Sequence, residues 1–255
     1  MMIKTAIILA GGLGTRLRSA VSDLPKCMAP VHGTPFISFV IDYLKKEGIE
    51  NFIFSLGYKS ESIISYTDDA YKALHKKYVI ETKQLGTGGA IKAACKEAAE
   101  DYVIVVNGDT LFTIDINKLS QFHATHLADC TIALKEMLDF DRYGAVELNS
   151  DNSIKTFQEK KFCTKGTING GVYALTVSKI LTDDYPEVFS FEKDWLEKNT
   201  GTKKLYGVIN DKYFIDIGIP EDYERFQDDY RTIIDQSNHA GNKNTTGIFL
   251  KGLTT

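Results

Sequence analysis

Leu9-Ala10-Gly11-Gly12-Leu13-Gly14-Thr15-Arg16-Leu17-Arg18 is the stretch that decides the fold. It continues an apolar run, Ala6-Ile7-Ile8-Leu9, that reads as a buried strand. Gly11, Gly12 and Gly14 let the backbone come close to an anion and aim its N–H groups at it. Arg16 puts a permanent positive charge beside those amides, and Lys26, after Leu24-Pro25, adds a second. Amide donors and two cations, with no carboxylate inside the loop, suit a polyphosphate. The loop is not a Walker A motif, because no Lys-Ser or Lys-Thr follows the last glycine. It also lacks the G-x-G-x-x-G spacing of dinucleotide binders. The bland alternative is a glycine-rich turn that binds nothing; Arg16 and Pro25-Lys26 weigh against it.

Outward from this loop, the first half alternates strands and helices. Residues 3–10, 51–56, 78–81 and 102–107 read as strands. Residues 35–46, 60–66 and 86–99 read as helices, the first with Phe36, Phe39, Val40, Tyr43 and Leu44 on one face and Gly48 as its stop. That order is the mark of a parallel, doubly wound sheet. The second half is strand-rich: 129–137, 144–148, 154–158, 167–174, 204–208 and 213–215. It predicts a mixed or antiparallel extension of the same sheet. Residues 221–234 read as a closing amphipathic helix, and 237–255 as a mobile polar tail. The expectation is a single α/β domain over 1–236, with a nucleotide half to about residue 128 and a sugar half after it.

Composition narrows the class. The 255 residues carry a formal net charge of −4, which argues against nonspecific nucleic-acid or membrane binding. Cys27, Cys95, Cys130 and Cys163 are far apart and form no C-x-x-C, so neither zinc nor a disulfide framework is signalled. The N-terminus lacks a signal-peptide pattern, so a cytoplasmic enzyme is expected. His123 and His126 could share a helix face, but no third ligand is near in sequence, so a core or surface role is expected for both.

Several further residues can carry chemistry. In open parallel sheets ligands bind at the carboxyl ends of the strands. Asp109, after Asn107-Gly108, ends one strand at the same edge as the glycine loop; Asp216, in Ile215-Asp216-Ile217-Gly218, ends another. Two such carboxylates beside a polyphosphate loop suit Mg²⁺, which binds one or two carboxylates plus phosphate oxygens. Glu81-Thr82-Lys83-Gln84-Leu85-Gly86-Thr87-Gly88 is a second glycine-rich loop opening a helix, able to read the edge of a base; the alternative is a helix start capped by Thr87. Glu159-Lys160 pairs an acceptor for hydroxyls with a cation for a phosphate, and Lys161 competes for the second role. Tyr143-Gly144 and Asn169-Gly170-Gly171 offer further polar groups and close backbone approach.

Together these elements resemble the sugar-1-phosphate nucleotidylyltransferase family over residues 3–235. The family's L-A-G-G-x-G-T-R-L matches residues 9–17, its P-K matches Pro25-Lys26, its L-G-T-x-G-A matches residues 85–90 and its G-D matches Gly108-Asp109. Tyr143-Gly144, Glu159-Lys160, Asn169-Gly170-Gly171 and Asp216-Ile217-Gly218 follow in the family's order. Residues 18–31 are most similar to the branch that guanylylates D-glycero-α-D-manno-heptose 1-phosphate. Cys27 is a departure, since many relatives have Pro after the lysine.

The resemblance implies a glycosyltransferase-A-like, Rossmann-like mixed sheet without the C-terminal β-helix of several relatives. It implies transfer of a nucleotidyl group from an NTP, GTP above all, to a sugar 1-phosphate with loss of pyrophosphate. It places Leu9, Ala10, Gly11, Gly12, Gly14, Thr15, Glu81, Gln84, Gly86, Thr87 and Gly88 around the nucleotide. Tyr143, Gly144, Glu159, Lys160, Asn169 and Gly170 fall around the sugar phosphate. Mg²⁺ falls on Asp109 and Asp216, Arg16 on the β,γ-phosphates and Lys26 near the α-phosphate. The competing readings are the same chemistry on mannose or glucose 1-phosphate with another NTP, a transferase with a different acceptor, and a noncatalytic regulator that binds nucleotide sugar. The oligomeric state is left open.

Overall fold

A computed structural model describes residues 2–12, 17, 24–158 and 162–238. Its first strand, β1 (Thr5–Ala10), leads through the loop to a 3₁₀ turn at Lys26–Met28. A small ribbon, β2 (Pro30–Val31) and β3 (Thr34–Pro35), then feeds α1 (Phe36–Lys46). β4 (Asn51–Leu56), α2 (Ser60–Ala70), β5 (His75–Ile80), α3 (Gly86–Cys95) and β6 (Tyr102–Asn107) continue the alternation. Next come β7 (Thr110–Phe112), α4 (Ile116–Thr125), β8 (Cys130–Phe140), β9 (Ala145–Leu148), β10 (Ile154–Gln158) and β11 (Cys163–Thr176). α5 (Val177–Leu181), a π-helical segment at Phe191–Glu197, β12 (Leu205–Asn210), β13 (Phe214–Asp216) and α6 (Pro220–Asn238) complete the described chain.

Within one nine-stranded sheet, β6, β1, β4 and β5 are parallel neighbours. β11 then runs antiparallel to β6, with β8 along its other edge and β9 paired at Thr167 and Ile168. β12 joins β8 in parallel, and β10 joins β9 antiparallel. The expected mixed sheet is thus built by a change of direction at β6–β11. Each central strand sends alternate side chains to opposite faces. Ile8, Ile104 and Val106 face the core beneath α1 and α6 with Phe36, Phe39 and Phe226, whereas Ile7, Val103 and Val105 face Ile91, Val177 and Trp195. Both faces are covered, which is why these strands are almost wholly apolar.

The differences from expectation have local causes. α2 runs on to Ala70 because Ile63 and Thr67 are buried one turn apart, and the Thr67 hydroxyl donates to the Ile63 carbonyl at 2.8 Å. α3 stops at Cys95 instead of reaching Ala99. α6 extends beyond Ile234 to Asn238, so the first residues assigned to the tail are helical; residues 239–255 lie outside the described residues. His123 is buried between the hydroxyls of Thr131 and Thr176, both at 3.0 Å, and His126 stacks on Phe122. Burial holds the His123 imidazole down at about 4, so it is neutral at ordinary pH.

Candidate active site

The ends of β1 and β6 meet at the glycine loop. The Gly108 N–H donates to the Leu9 carbonyl at 2.8 Å, and a side chain at Gly108 would press on that carbonyl and on Ala10 and Cys27. This places Asp109 beside the loop. A short antiparallel ladder between β7 and β13 then pairs Asp216 with Thr110, and the Ile217 N–H donates to the Asp109 carbonyl at 3.1 Å. Two carboxylates distant in sequence therefore become neighbours through backbone pairing.

Their charges interact. Burial, and then the charge of Asp109, push the Asp216 carboxyl up to about 6, against relief from the Gly218 N–H, Lys26 and Arg142. Lys26 reaches Asp109 Oδ2 at 3.3 Å from the 3₁₀ turn. A pair of hard oxygen donors that repel one another, open to a cavity lined by amides, fits a divalent cation whose remaining ligands come from phosphate and water. No third His, Cys, Asp or Glu joins a metal-holding group among the described residues.

Two cavities meet at this pair. One, of about 470 Å³, is lined by Leu9, Ala10, Gly11, Gly12, Pro25, Lys26, Cys27, Glu81, Gln84, Gly86, Thr87, Ala90, Asn107 and Asp109. The other, of about 430 Å³, is lined by Arg142, Tyr143, Gly144, Phe157, Asn169, Gly171, Tyr173, Ser190, Glu192, Lys193 and Asp216. Thr87 and Asn107 line both. The structure thus brings together most of the expected nucleotide-side residues in one cavity, and Tyr143, Gly144 and Asn169 in the other. Gly14, Thr15, Arg16, Glu159, Lys160 and Lys161 lie outside the described residues.

Glu81 sits at the first cavity's wall. Its Oε2 accepts the Leu85 N–H at 3.1 Å, and a side chain on Gly11 would lie 2.8 Å from its Oε1. Burial raises its carboxyl, partly offset by the Leu85 bond.

Two glycines of the expected site are packed against rings. The Gly88 N–H donates to the Phe189 carbonyl at 3.0 Å, and a Cβ there would be 2.2 Å from the Phe189 ring. Gly170 likewise lies against Phe112, where a Cβ would come within 2.5 Å of the ring. Its neighbour Gly171, at φ +70°, lines the second cavity instead, at the register shift in β11 between Asn169 and Tyr173. Nor does Thr87 cap α3. Its hydroxyl donates to Glu192 at 2.6 Å and accepts the Phe191 N–H at 2.9 Å.

Those bonds belong to a strap that sequence reasoning missed. The Phe189 N–H donates to the Leu85 carbonyl at 3.0 Å, and Lys83 pairs with Glu187 at 2.6 Å. Ser190, Glu192 and Lys193 thereby enter the second cavity. Arg142 and Tyr173 were also missed. Arg142 had a signal, a cation directly before Tyr143-Gly144; the strap residues had none.

The nucleotidyl transferase family model matches residues 5–233. The chain is 49% identical over 222 residues to D-glycero-alpha-D-manno-heptose 1-phosphate guanylyltransferase of Aneurinibacillus thermoaerophilus, covering 87% of this chain and 96% of that protein. It is 46% identical over 223 residues to the protein of that name from Campylobacter jejuni subsp. jejuni serotype O:2, covering 87% and 97%. The crystal structure of HddC from Yersinia pseudotuberculosis complexed with GMP-PN superposes with a TM-score of 0.80 at 37% identity, covering 89% of this chain and all of that one. With the glycine loop, the carboxylate pair and both cavities in one frame, this chain belongs to the nucleotidyl transferase family.

Proposed function

We propose that the protein transfers the guanylyl group of GTP to D-glycero-α-D-manno-heptose 1-phosphate and releases pyrophosphate. The observation that carries the reading is the meeting of two cavities at Asp109 and Asp216, with Lys26 on the first and Arg142 in the second. The names of the two relatives with nearly full mutual coverage support the choice of substrates.

A phosphate oxygen of the sugar phosphate attacks the α-phosphorus, and the bond to the β-phosphate oxygen breaks. The nucleophile is already anionic, so no base is required. Repulsion between two anions and charge on the leaving pyrophosphate are the obstacles, and positioning with electrostatic stabilisation answers both. Lys26 binds at the α-phosphate, with the amides of Gly11 and Gly12 beside it. Asp109 and Asp216 would hold Mg²⁺, which would supply neutralisation of part of the triphosphate charge and polarisation of the α-phosphate. Arg16 takes the β,γ-phosphates, Lys160 or Lys161 the sugar phosphate, and Glu159 the sugar hydroxyls. Glu81 accepts from the guanine N1–H and N2–H₂ groups, and the first-turn amides of Gly86 and Thr87 donate to O6.

Four NTPs assayed against heptose, mannose and glucose 1-phosphates, read by pyrophosphate release, test the reading. GTP is expected to exceed UTP, CTP and dTTP by at least ~10² in kcat/KM, the scale of about two lost hydrogen bonds. Equal or better turnover with UTP and glucose 1-phosphate sinks the substrate assignment.

A further inference from the structure

The second cavity receives an anion, yet Asp216 and Glu192 also line it. A phosphate monoester approaching the carboxylate pair needs a compensating cation on its own side. Lys26 belongs to the first cavity, where it is already paired with Asp109. Arg142, in the turn between β8 and β9, lines the second together with Lys193 of the strap, and of the two only Arg142 presents a planar fork of donors.

The surroundings of Arg142 hold it in place without cancelling its charge. Its Nη2 donates to Asp222 Oδ2 at 2.5 Å and to the Tyr143 hydroxyl at 3.4 Å, and its guanidinium lies 5.4 Å from the Tyr143 ring centre. Asp222 is also bound by Arg225, at 2.8 Å, so two guanidinium groups share one carboxylate. Asp222 therefore divides its charge between two guanidinium groups, and Glu221 is the other acidic residue in this first turn of α6. Among the described residues, Nη1 and Nε of Arg142 make no hydrogen bond, while Nη2 is engaged with Asp222 and Tyr143. Arg142 and Asp216 are close enough to influence each other's charge. Both groups line the second cavity. A planar fork with unused donors is the side chain best matched to a phosphate.

We propose that Arg142 binds the phosphate of the incoming sugar 1-phosphate, oriented by Asp222, so that the two carboxylates are flanked by Lys26 on the nucleotide side and Arg142 on the acceptor side. The proposal rests on the transferase reading above but not on the identity of the base or sugar.

The test is steady-state kinetics of wild type, Arg142→Ala, Arg142→Lys and Asp222→Asn, with thermal unfolding of each. Wild-type turnover across the sugar phosphates judges the substrate reading by itself. The variants are then compared on whichever sugar phosphate wild type uses. Arg142→Ala should raise KM for the sugar phosphate by ~10–100-fold, the scale of lost charge-assisted hydrogen bonds, with KM for GTP within about twofold of wild type. Arg142→Lys, which keeps the charge and loses the fork, should recover part of that loss. Asp222→Asn should raise the same KM by a smaller factor, because the guanidinium remains. Equal changes in both Michaelis constants, or the same kinetic and thermal defects in Arg142→Ala and Asp222→Asn, would mean that Arg142 only ties α6 to the sheet. If Arg142→Ala does not fold, an unchanged sugar-phosphate KM in Arg142→Lys and Asp222→Asn overturns the proposal.

Discussion

The two cavities are built in opposite ways. The first is lined largely by two short stretches that follow strands, the glycine loop after β1 and residues 81–87 after β5, with Lys26 and Asp109 beside them. The second is walled by side chains from remote segments: Arg142 and Tyr143 from one turn, Asn169 and Tyr173 from β11, Ser190 to Lys193 from the strap, and Asp216 from β13. A polyphosphate is the same in every nucleotide, and fixed amides recognise it well. A sugar is recognised by the placement of individual hydroxyls, which calls for side chains that can be exchanged without disturbing the sheet.

The largest expected effect falls where the two cavities join. Asp216→Asn should lower kcat/KM by about 10²–10³. It should also stabilise the metal-free protein. The Asp216 carboxyl is raised to about 6 in the fold, above its ordinary value. The unfolded chain therefore gives up this proton first as pH rises. Stability falls between about pH 4 and 6, and the full penalty persists above that range. Asparagine removes the penalty, on the order of 1–3 kcal/mol at pH 8. Thermal unfolding in chelator at pH 5 and pH 8 checks the sign. A variant less stable than wild type at pH 8 would show that the carboxylate is well satisfied without a metal.

A pair of glycine variants sharpens the contrast between the walls. A methyl at Gly12 meets nothing within 4 Å and projects from a residue that lines the first cavity. Gly12→Ala should raise KM for GTP while stability stays within about 0.5 kcal/mol. A methyl at Gly88 collides with Phe189. Gly88→Ala should cost about 1–3 kcal/mol and raise KM for the sugar phosphate, because Ser190, Glu192 and Lys193 follow the displaced ring. The reverse pattern, read by chemical denaturation and kinetics, would break the distinction. The smallest effect belongs to the strap's exposed ion pair. Lys83→Ala should change stability by less than ~0.5 kcal/mol, since both partners of the 2.6 Å pair with Glu187 are more than half exposed. A loss above 1 kcal/mol in the same denaturation measurement would make it a true latch.

The same contrast explains what could be read in advance. The strands at Asn51–Leu56, Tyr102–Asn107 and Ile154–Gln158 fall on the expected residues because an apolar run bounded by polar residues is a local signal. The parallel half and the nucleotide cavity follow from such signals. α4 was not assigned, because its buried face mixes Ile116 and Leu119 with Ser120 and His123 and so lacks a clean apolar stripe; its Asp115 cap, which accepts the Lys118 N–H at 2.9 Å, was the available clue. Gly88 and Gly170 look like ligand-facing glycines in sequence. Nothing near them reveals Phe189 or Phe112, the rings that require their lack of a side chain. Glu192 and Arg142 acquire their setting only through contacts with Thr87 and Asp222 in distant segments.

The ladder between β7 and β13 carries a consequence for the order in which the chain becomes competent. Thr110 to Phe112 are made well before their partners Phe214 to Asp216. The parallel strands β1, β4, β5 and β6 all precede this point and can pair without it. A nascent chain can therefore present a nucleotide-shaped crevice while it has only Asp109 of the carboxylate pair. Closing the long loop to Asp216 supplies the missing charge at the last stage of assembly. An unfinished chain is thus expected to lack the full carboxylate pair until β13 has paired with β7.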